Sequence, residues 1–177
     1  MFEYFRPTLQ APSLALISVE QLVRAGIKGL IIDLDNTMTP WNDVKVDPKV
    51  TEWFIKVKAK GISACVVSNS SKRQRVAVVA EHLDIPFIFA ATKPRRRAFR
   101  LGMELLGTGH TDTAVIGDQL FTDILGGNRL GLYTILVTPI NKQHEFIGTR
   151  FLRRMEKVLV WLMKHFVSVK PYSPKTR

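Results

Sequence analysis

Asp33 and Asp35 stand at the end of an apolar run, Gly29-Leu30-Ile31-Ile32, with one leucine between them. Carboxylates placed where a buried run should meet solvent present themselves to something positive. Three further apolar runs also end in polar residues. The second delivers Ser68 and Asn69, the third is followed by Thr92 and Lys93, and the fourth ends in Gly117 and Asp118 with Asp123 shortly after. If the first and fourth runs are neighbouring strands, Asp33, Asp35 and Asp118 converge. Three close carboxylates repel one another and need a cation. All the donors are oxygens, with no His or Cys nearby, which favours Mg²⁺ over zinc. The lysine and a hydroxyl can hold a phosphate, and helices starting after Asn69 and after Lys93 add backbone donors. Such a set suits phosphoryl transfer. One carboxylate can attack phosphorus to form an acyl phosphate, and a second can protonate the leaving oxygen and then deprotonate water.

These residues need a scaffold that brings four chain segments to one edge. Five apolar runs, 28–34, 62–67, 86–90, 113–117 and 131–137, are short, rich in Val and Ile, and not cleanly alternating, as strands covered on both faces are. Helical patterns lie between them. Asp47 and Pro48 open one that ends at Gly61, with Val50, Trp53, Phe54 and Val57 on one face. Another follows the second strand, with Val76, Val79, Ala80 and Leu83 together, and shorter candidates start near Pro94 and Phe121. Alternating strands and helices predict an α/β fold, a mostly parallel five-stranded sheet with helices on both sides, in a single domain over residues 1–177. Ligands of such sheets bind beyond the carboxyl ends of the strands, where the polar residues lie. Gly126, Gly127 and Gly131 read as turns before the fifth strand.

The 177 residues carry 26 Lys and Arg against 15 Asp and Glu, a net charge of +11. That surplus attracts anions: nucleic acid, acidic lipid or a phosphorylated substrate. The one cysteine, Cys65, lies in an apolar run and reads as a buried thiol; a disulfide framework is excluded, and a reducing, cytoplasmic setting is expected. No apolar run is long enough to cross a membrane, and the N-terminus lacks the pattern of a signal peptide. The four histidines are scattered, none at metal-ligand spacing with another.

The stretches DLDNT (33–37), VSNS (67–70), TKP (92–94) and GDQLFTD (117–123) together resemble the motifs of the haloacid dehalogenase superfamily of phosphatases, subfamily IIIA, in family order. The resemblance implies a three-layer Rossmannoid sandwich. It implies Asp33 as nucleophile, Asp35 as general acid and base, Ser68 as phosphate ligand with Asn69 shaping its loop, and Lys93 neutralising phosphate. Asp118 would bind Mg²⁺ directly, Asp123 would support it, Asp33 would share it, and Asp35 would contribute its backbone carbonyl. The stretches 6–18, 26–38, 82–94 and 117–140 further resemble a small bacterial branch related to the mitochondrial and chloroplast phosphatidylglycerophosphate phosphatases. This implies an anionic lipid headgroup as substrate, with phosphatidylglycerol as product.

The gaps from Asp33 to Ser68 and from Ser68 to Lys93 each have room for one helix only. A capless, open site is therefore expected, with a large substrate or partner surface excluding water. A phosphoprotein, a nucleic-acid end, or a mainly non-catalytic role in docking to RNA or ribosomes are the alternatives, although no aromatic ladder or zinc module supports nucleic acid. A receiver-like domain also uses a metal, an aspartate and a lysine, but lacks the run around Asp118 and Asp123. Asp123 as a helix cap is the plainer reading of that residue, while Arg95, Arg96 and Arg97 read equally as a solvated helix face or, next to Lys93, as suited to a polyanionic headgroup.

A separate helix is expected over about 144–167, with a tail, 170–177, of no fixed structure. Wound at about 100° per residue, residues 150–166 put an apolar stripe on one side. Arg150, Arg153, Arg154, Lys157 and Lys164 fall on the other, with Trp161 among them. A tryptophan within a basic face suits peripheral contact with an anionic membrane. Equally, Trp161 packs against protein and the basic residues only keep the chain in solution.

Overall fold

The computed structural model describes residues 2–141. The expected helix over 144–167, the membrane-surface candidates Arg150, Arg153, Arg154, Lys157, Trp161 and Lys164, and the tail lie outside the described residues.

Among the described residues, six strands form one parallel sheet: β1 (Leu9–Ala11), β2 (Gly29–Ile32), β3 (Ser63–Val67), β4 (Phe87–Ile88), β5 (Thr113–Gly117) and β6 (Tyr133–Val137), in the order β1-β6-β5-β2-β3-β4. The first and fourth expected strands, β2 and β5, are indeed neighbours, with Ile32 opposite Ile116. Five strands were expected and six are present. The addition, β1, is a three-residue edge strand of half-buried and exposed residues, so it carries no apolar run to mark it.

Five helices connect the strands: α1 (Val19–Arg24), α2 (Pro48–Ala59), α3 (Arg73–His82), α4 (Arg96–Leu106) and α5 (Leu125–Asn128). Residues alternate across a strand, and here both faces are buried. Leu30, Ile32, Ala64 and Val66 point into a core shared with Val50, Trp53, Phe54 and Val57 of α2 and Val76 and Val79 of α3. Ile31, Cys65, Val67 and Val115 point into a second core with Ala98, Phe99 and Met103 of α4. This explains why the strands read as unbroken apolar runs. Burial pushes the Cys65 thiol up to about 12, which fits an inert core residue.

Local chemistry sets the helix ends. Asp47 accepts a hydrogen bond from Lys49 N at 2.8 Å, and Pro48 occupies the first turn of α2. Ser18 caps α1 through Gln21 N at 3.2 Å, a short helix that the apolar periodicity does not announce.

Gly126 and Gly127 depart from expectation: they are helical, inside α5 rather than in a turn, whereas Gly131 takes a left-handed φ of 71°. Their smallness serves packing. A Cβ on Gly126 would run into the fully buried Phe99 ring, and one on Gly127 would lie 2.7 Å from Thr134 Cγ2. Gly126→Ala should therefore destabilise the protein despite its better helix propensity. The expected loss is about 1–3 kcal/mol, from overpacking. Denaturant unfolding checks this; a midpoint unchanged or raised would show that the Phe99 contact is not rigid.

Candidate active site

The polar residues that end the strands meet at the carboxyl edge of the sheet. Asp33 extends β2 by one rung, donating its N–H to Ile116 O at 2.9 Å, so its side chain leaves the sheet beside the end of β5. The chain then turns tightly. Asn36 adopts a left-handed φ of 61°, which asparagine tolerates, and its carbonyl accepts from Ile140 N at 3.0 Å. This ties the acidic loop to the chain leaving β6.

Lys93 arrives from the loop after β4 and is held by its backbone. Asn69 Oδ1 accepts from Lys93 N at 2.7 Å, and Asn69 Nδ2 donates to Lys93 O at 3.2 Å. Ser68, next to this bracket, is buried, and its Oγ accepts from Ser70 N at 3.1 Å. Thus the end of β3 positions the residue that follows β4.

The lysine ammonium lies between two carboxylates. Lys93 Nζ is 2.6 Å from Asp33 Oδ1 and 2.7 Å from Asp123 Oδ1, and all three side chains are buried. Asp123 comes from a π-helical turn, Leu120–Ile124, directly before α5; its Oδ2 accepts from Gln119 N at 3.2 Å. A Cβ at position 117 would overlap the Asp123 carboxyl group, so glycine there makes the space this residue occupies. Asp123 is more than a helix cap. One carboxylate oxygen each from Asp33, Asp118 and Asp123 lie within 4.8 Å of one another, all buried.

The electrostatics follow from burial. Desolvation, reinforced by Asp123 and Asp35 and opposed by Lys93, raises the Asp33 carboxyl to about 7. Burial alone would lower the Lys93 ammonium, but Asp123 and Asp33 outweigh it and hold it above the usual lysine range. Three carboxylates against one ammonium leave negative charge for a cation to balance. The donors are oxygens only, and among the described residues no His or Cys joins them, which fits Mg²⁺ far better than zinc.

Asp35 is set apart from this cluster. Its carboxylate is gripped by Arg75 of α3, with Nη2 2.7 Å from Oδ1 and Nη1 3.1 Å from Oδ2. Arg75 was not singled out by sequence reasoning. It sits in the basic stretch Lys72–Arg75, which has the look of a solvated helix start, and its partner is distant in sequence. Arg95, Arg96 and Arg97 are exposed next to Lys93.

Removing the lysine should expose the cost of this cluster. Lys93→Met is expected to lose about 3–5 kcal/mol in metal-free unfolding, because buried carboxylates are left unneutralised. Adding Asp33→Asn to it should recover part of the loss by removing one of those charges. A Lys93→Met protein as stable as wild type would mean that the carboxylates are not ionised together.

Two family models match consecutive parts of the chain: mitochondrial PGP phosphatase over residues 2–84 and HAD-hydrolase-like over residues 90–145. The probable phosphatase YqeG of Bacillus subtilis is 41% identical over 162 residues, covering 92% of this chain and 93% of that protein. Phosphatidylglycerophosphate phosphatase 1, chloroplastic/mitochondrial, of Arabidopsis thaliana is 27% identical over 92% of this chain, which spans only 49% of that protein's length. An uncharacterized protein from Listeria monocytogenes shares the fold, with a TM-score of 0.55 at 18% identity over 78% of this chain and 99% of that one. The chain belongs to the haloacid dehalogenase-like hydrolases and is a phosphatase of the branch it shares with its Bacillus subtilis relative, one that resembles the phosphatidylglycerophosphate phosphatases.

Proposed function

We propose that this phosphatase is Mg²⁺-dependent, works through a phosphoryl group carried on Asp33, and acts on phosphatidylglycerophosphate to give phosphatidylglycerol. The observation that carries the reading is the buried cluster in which Lys93 links Asp33 to Asp123 beside Asp118. Asp33, Asp118 and Asp123 would hold the Mg²⁺, which would offset the repulsion between phosphate and nucleophile. Asp33 attacks phosphorus as the bond to the leaving oxygen breaks, and Asp35 gives that oxygen a proton. A water then attacks the phosphoryl group, its proton passes to Asp35, and Asp33 is freed. Lys93 neutralises charge on Asp33 and on the transferred phosphoryl group. The Ser68 hydroxyl and the backbone near Asn69 hold the phosphate oxygens.

Three observations support a lipid. Relatives of this chain are named for phosphatidylglycerophosphate. Only α2 lies between β2 and β3, and only α3 between β3 and β4, so a capless site open to a surface is the natural reading. A groove of about 830 Å³ flanks the loop after Asp35, lined by Leu14, Met38, Trp53 and Ile140 together with charged residues such as Asp43, Lys45 and Lys56; its size suits part of a large substrate held beside the acidic cluster. No helix among the described residues is long and apolar enough to cross a membrane. Peripheral contact is the proposed route to such a substrate. The basic residues of 150–166 with Trp161 suit it, in a cytoplasmic protein at the inner membrane face.

Phosphate release from purified protein with Mg²⁺ tests the proposal, using phosphatidylglycerophosphate in mixed micelles, phosphopeptides, phosphorylated oligonucleotides and a hexose phosphate. The lipid should be turned over with the highest kcat/KM, and chelation should abolish release. Asp33→Asn should lose nearly all turnover while folding as stably as wild type, since one buried charge is removed from a crowded cluster. Comparable efficiency on the hexose phosphate would overturn the lipid assignment, and wild-type turnover by Asp33→Asn would overturn the mechanism.

A further inference from the structure

We infer that Arg75 is a positioning residue for the reaction: it fixes the carboxylate of Asp35 so that Oδ2 is the atom that gives and takes the proton. The inference rests on the acid–base role assigned to Asp35 above.

The Arg75 side chain is only 9% exposed, although it belongs to a helix start flanked by exposed Lys72, Arg73 and Gln74. Every nitrogen of its guanidinium is used. Nε donates to Asp43 O at 3.1 Å, Nη1 donates to Asp35 Oδ2 at 3.1 Å, and Nη2 donates to Asp35 Oδ1 at 2.7 Å and to Thr39 Oγ1 at 3.5 Å. The planar fork therefore grips the carboxylate at two points and the acidic loop at two more. A two-point grip defines the plane of the carboxylate, which a single ammonium contact does not.

The two oxygens of Asp35 are not equivalent. Oδ1 accepts from both Arg75 Nη2 and Asn42 N, the latter at 3.2 Å, whereas among the described residues Oδ2 accepts only from Arg75 Nη1. A carboxylate oxygen has two lone pairs. Those of Oδ1 are taken, and Oδ2 keeps one. The Asp35 side chain is 21% exposed, against 8% for Asp33, so this carboxylate is the more open of the two to an incoming ester oxygen and later to water. As the phosphorus–oxygen bond breaks, the leaving oxygen takes the proton from Oδ2. As water attacks the phosphoryl group on Asp33, the water proton returns to Oδ2. Arg75 stays paired throughout and touches neither phosphate nor leaving group.

The alternative is that Arg75 merely pins the acidic loop to α3. The two roles differ in how the loss depends on the leaving group, because an aryl oxide stabilised by a nitro group leaves with little proton help while an alkyl oxide needs it. The experiment measures kcat/KM with Mg²⁺ for nitrophenyl phosphate, phenyl phosphate and an alkyl phosphate, for wild type, Arg75→Gln, Arg75→Lys, Asp35→Asn and the Asp35→Asn, Arg75→Gln double variant. Arg75→Gln should lose about 10- to 100-fold on the alkyl ester and only a few-fold on nitrophenyl phosphate. Arg75→Lys, which keeps the charge but not the fork, should show the same steepened dependence. In the Asp35→Asn background, Arg75→Gln should cost little more, because the carboxylate it serves is already gone. Should Arg75→Gln fail to fold, the Arg75→Lys series gives the same reading. An equal loss on all three esters, no loss, or full additivity with Asp35→Asn would overturn the positioning role while leaving the phosphatase mechanism intact. A wild type that releases phosphate from none of these esters or from the lipid would overturn the mechanism itself, and this inference with it.

Discussion

A buried ammonium between two buried carboxylates is the constraint around which the site is built. Lys93 Nζ reaches Asp33 and Asp123 at 2.6 and 2.7 Å, joining the end of β2, the loop after β4 and the turn after β5. Removing such charges from water is expensive unless geometry is close and every group is satisfied. The surroundings supply that geometry: Asn69 brackets the lysine backbone, and Gly117 leaves room for the Asp123 carboxyl. The arrangement still places three carboxylates against one ammonium, and burial above all, with Asp123 and Asp35 adding to it, raises the Asp33 carboxyl. An apolar protein core would not tolerate that surplus without reason, whereas a site that receives a divalent cation needs it.

Two carboxylates separated by one residue thus receive different partners. Asp33 lies in the dry cluster with a lysine, the place that the proposed mechanism gives the nucleophile. Asp35 lies immediately before the tight turn, more exposed, in the fork of an arginine. Placing like groups in unlike environments is how one site obtains a nucleophile and a proton carrier from the same side-chain chemistry. The turn that follows them depends on Asn36 in a left-handed conformation, anchored by the chain after β6. The sheet order matters here as well, since β6 beside β5 brings that anchor within reach.

Much of this was legible in the chain. A strand buried on both faces leaves a long apolar mark, and its first polar residue marks where the sheet edge begins; Asp33, Ser68 and Asp118 could be placed on one edge for that reason. The helix from Pro48 was legible because its cap, its proline and its buried face agree. What escaped has a common cause. Arg75 pairs with Asp35 across 40 positions, and no local pattern separates a gripping arginine from a solvated one. Edge strand β1 buries little, so periodicity is silent there. Gly126 and Gly127 look like a turn because glycine usually is one, but here the reason for glycine is the Phe99 ring and the Thr134 methyl, both contributed by other elements.

The central claim is that Asp33 becomes covalently phosphorylated. An acyl phosphate is reduced by borohydride to the alcohol, so an aspartyl phosphate trapped by acid quench during turnover becomes homoserine, which peptide mass mapping locates. With phosphatidylglycerophosphate and Mg²⁺, homoserine should appear at position 33 and nowhere else, and should be absent when substrate is omitted. Rapid phosphate release with no homoserine at position 33, or with homoserine at another aspartate, would contradict the account.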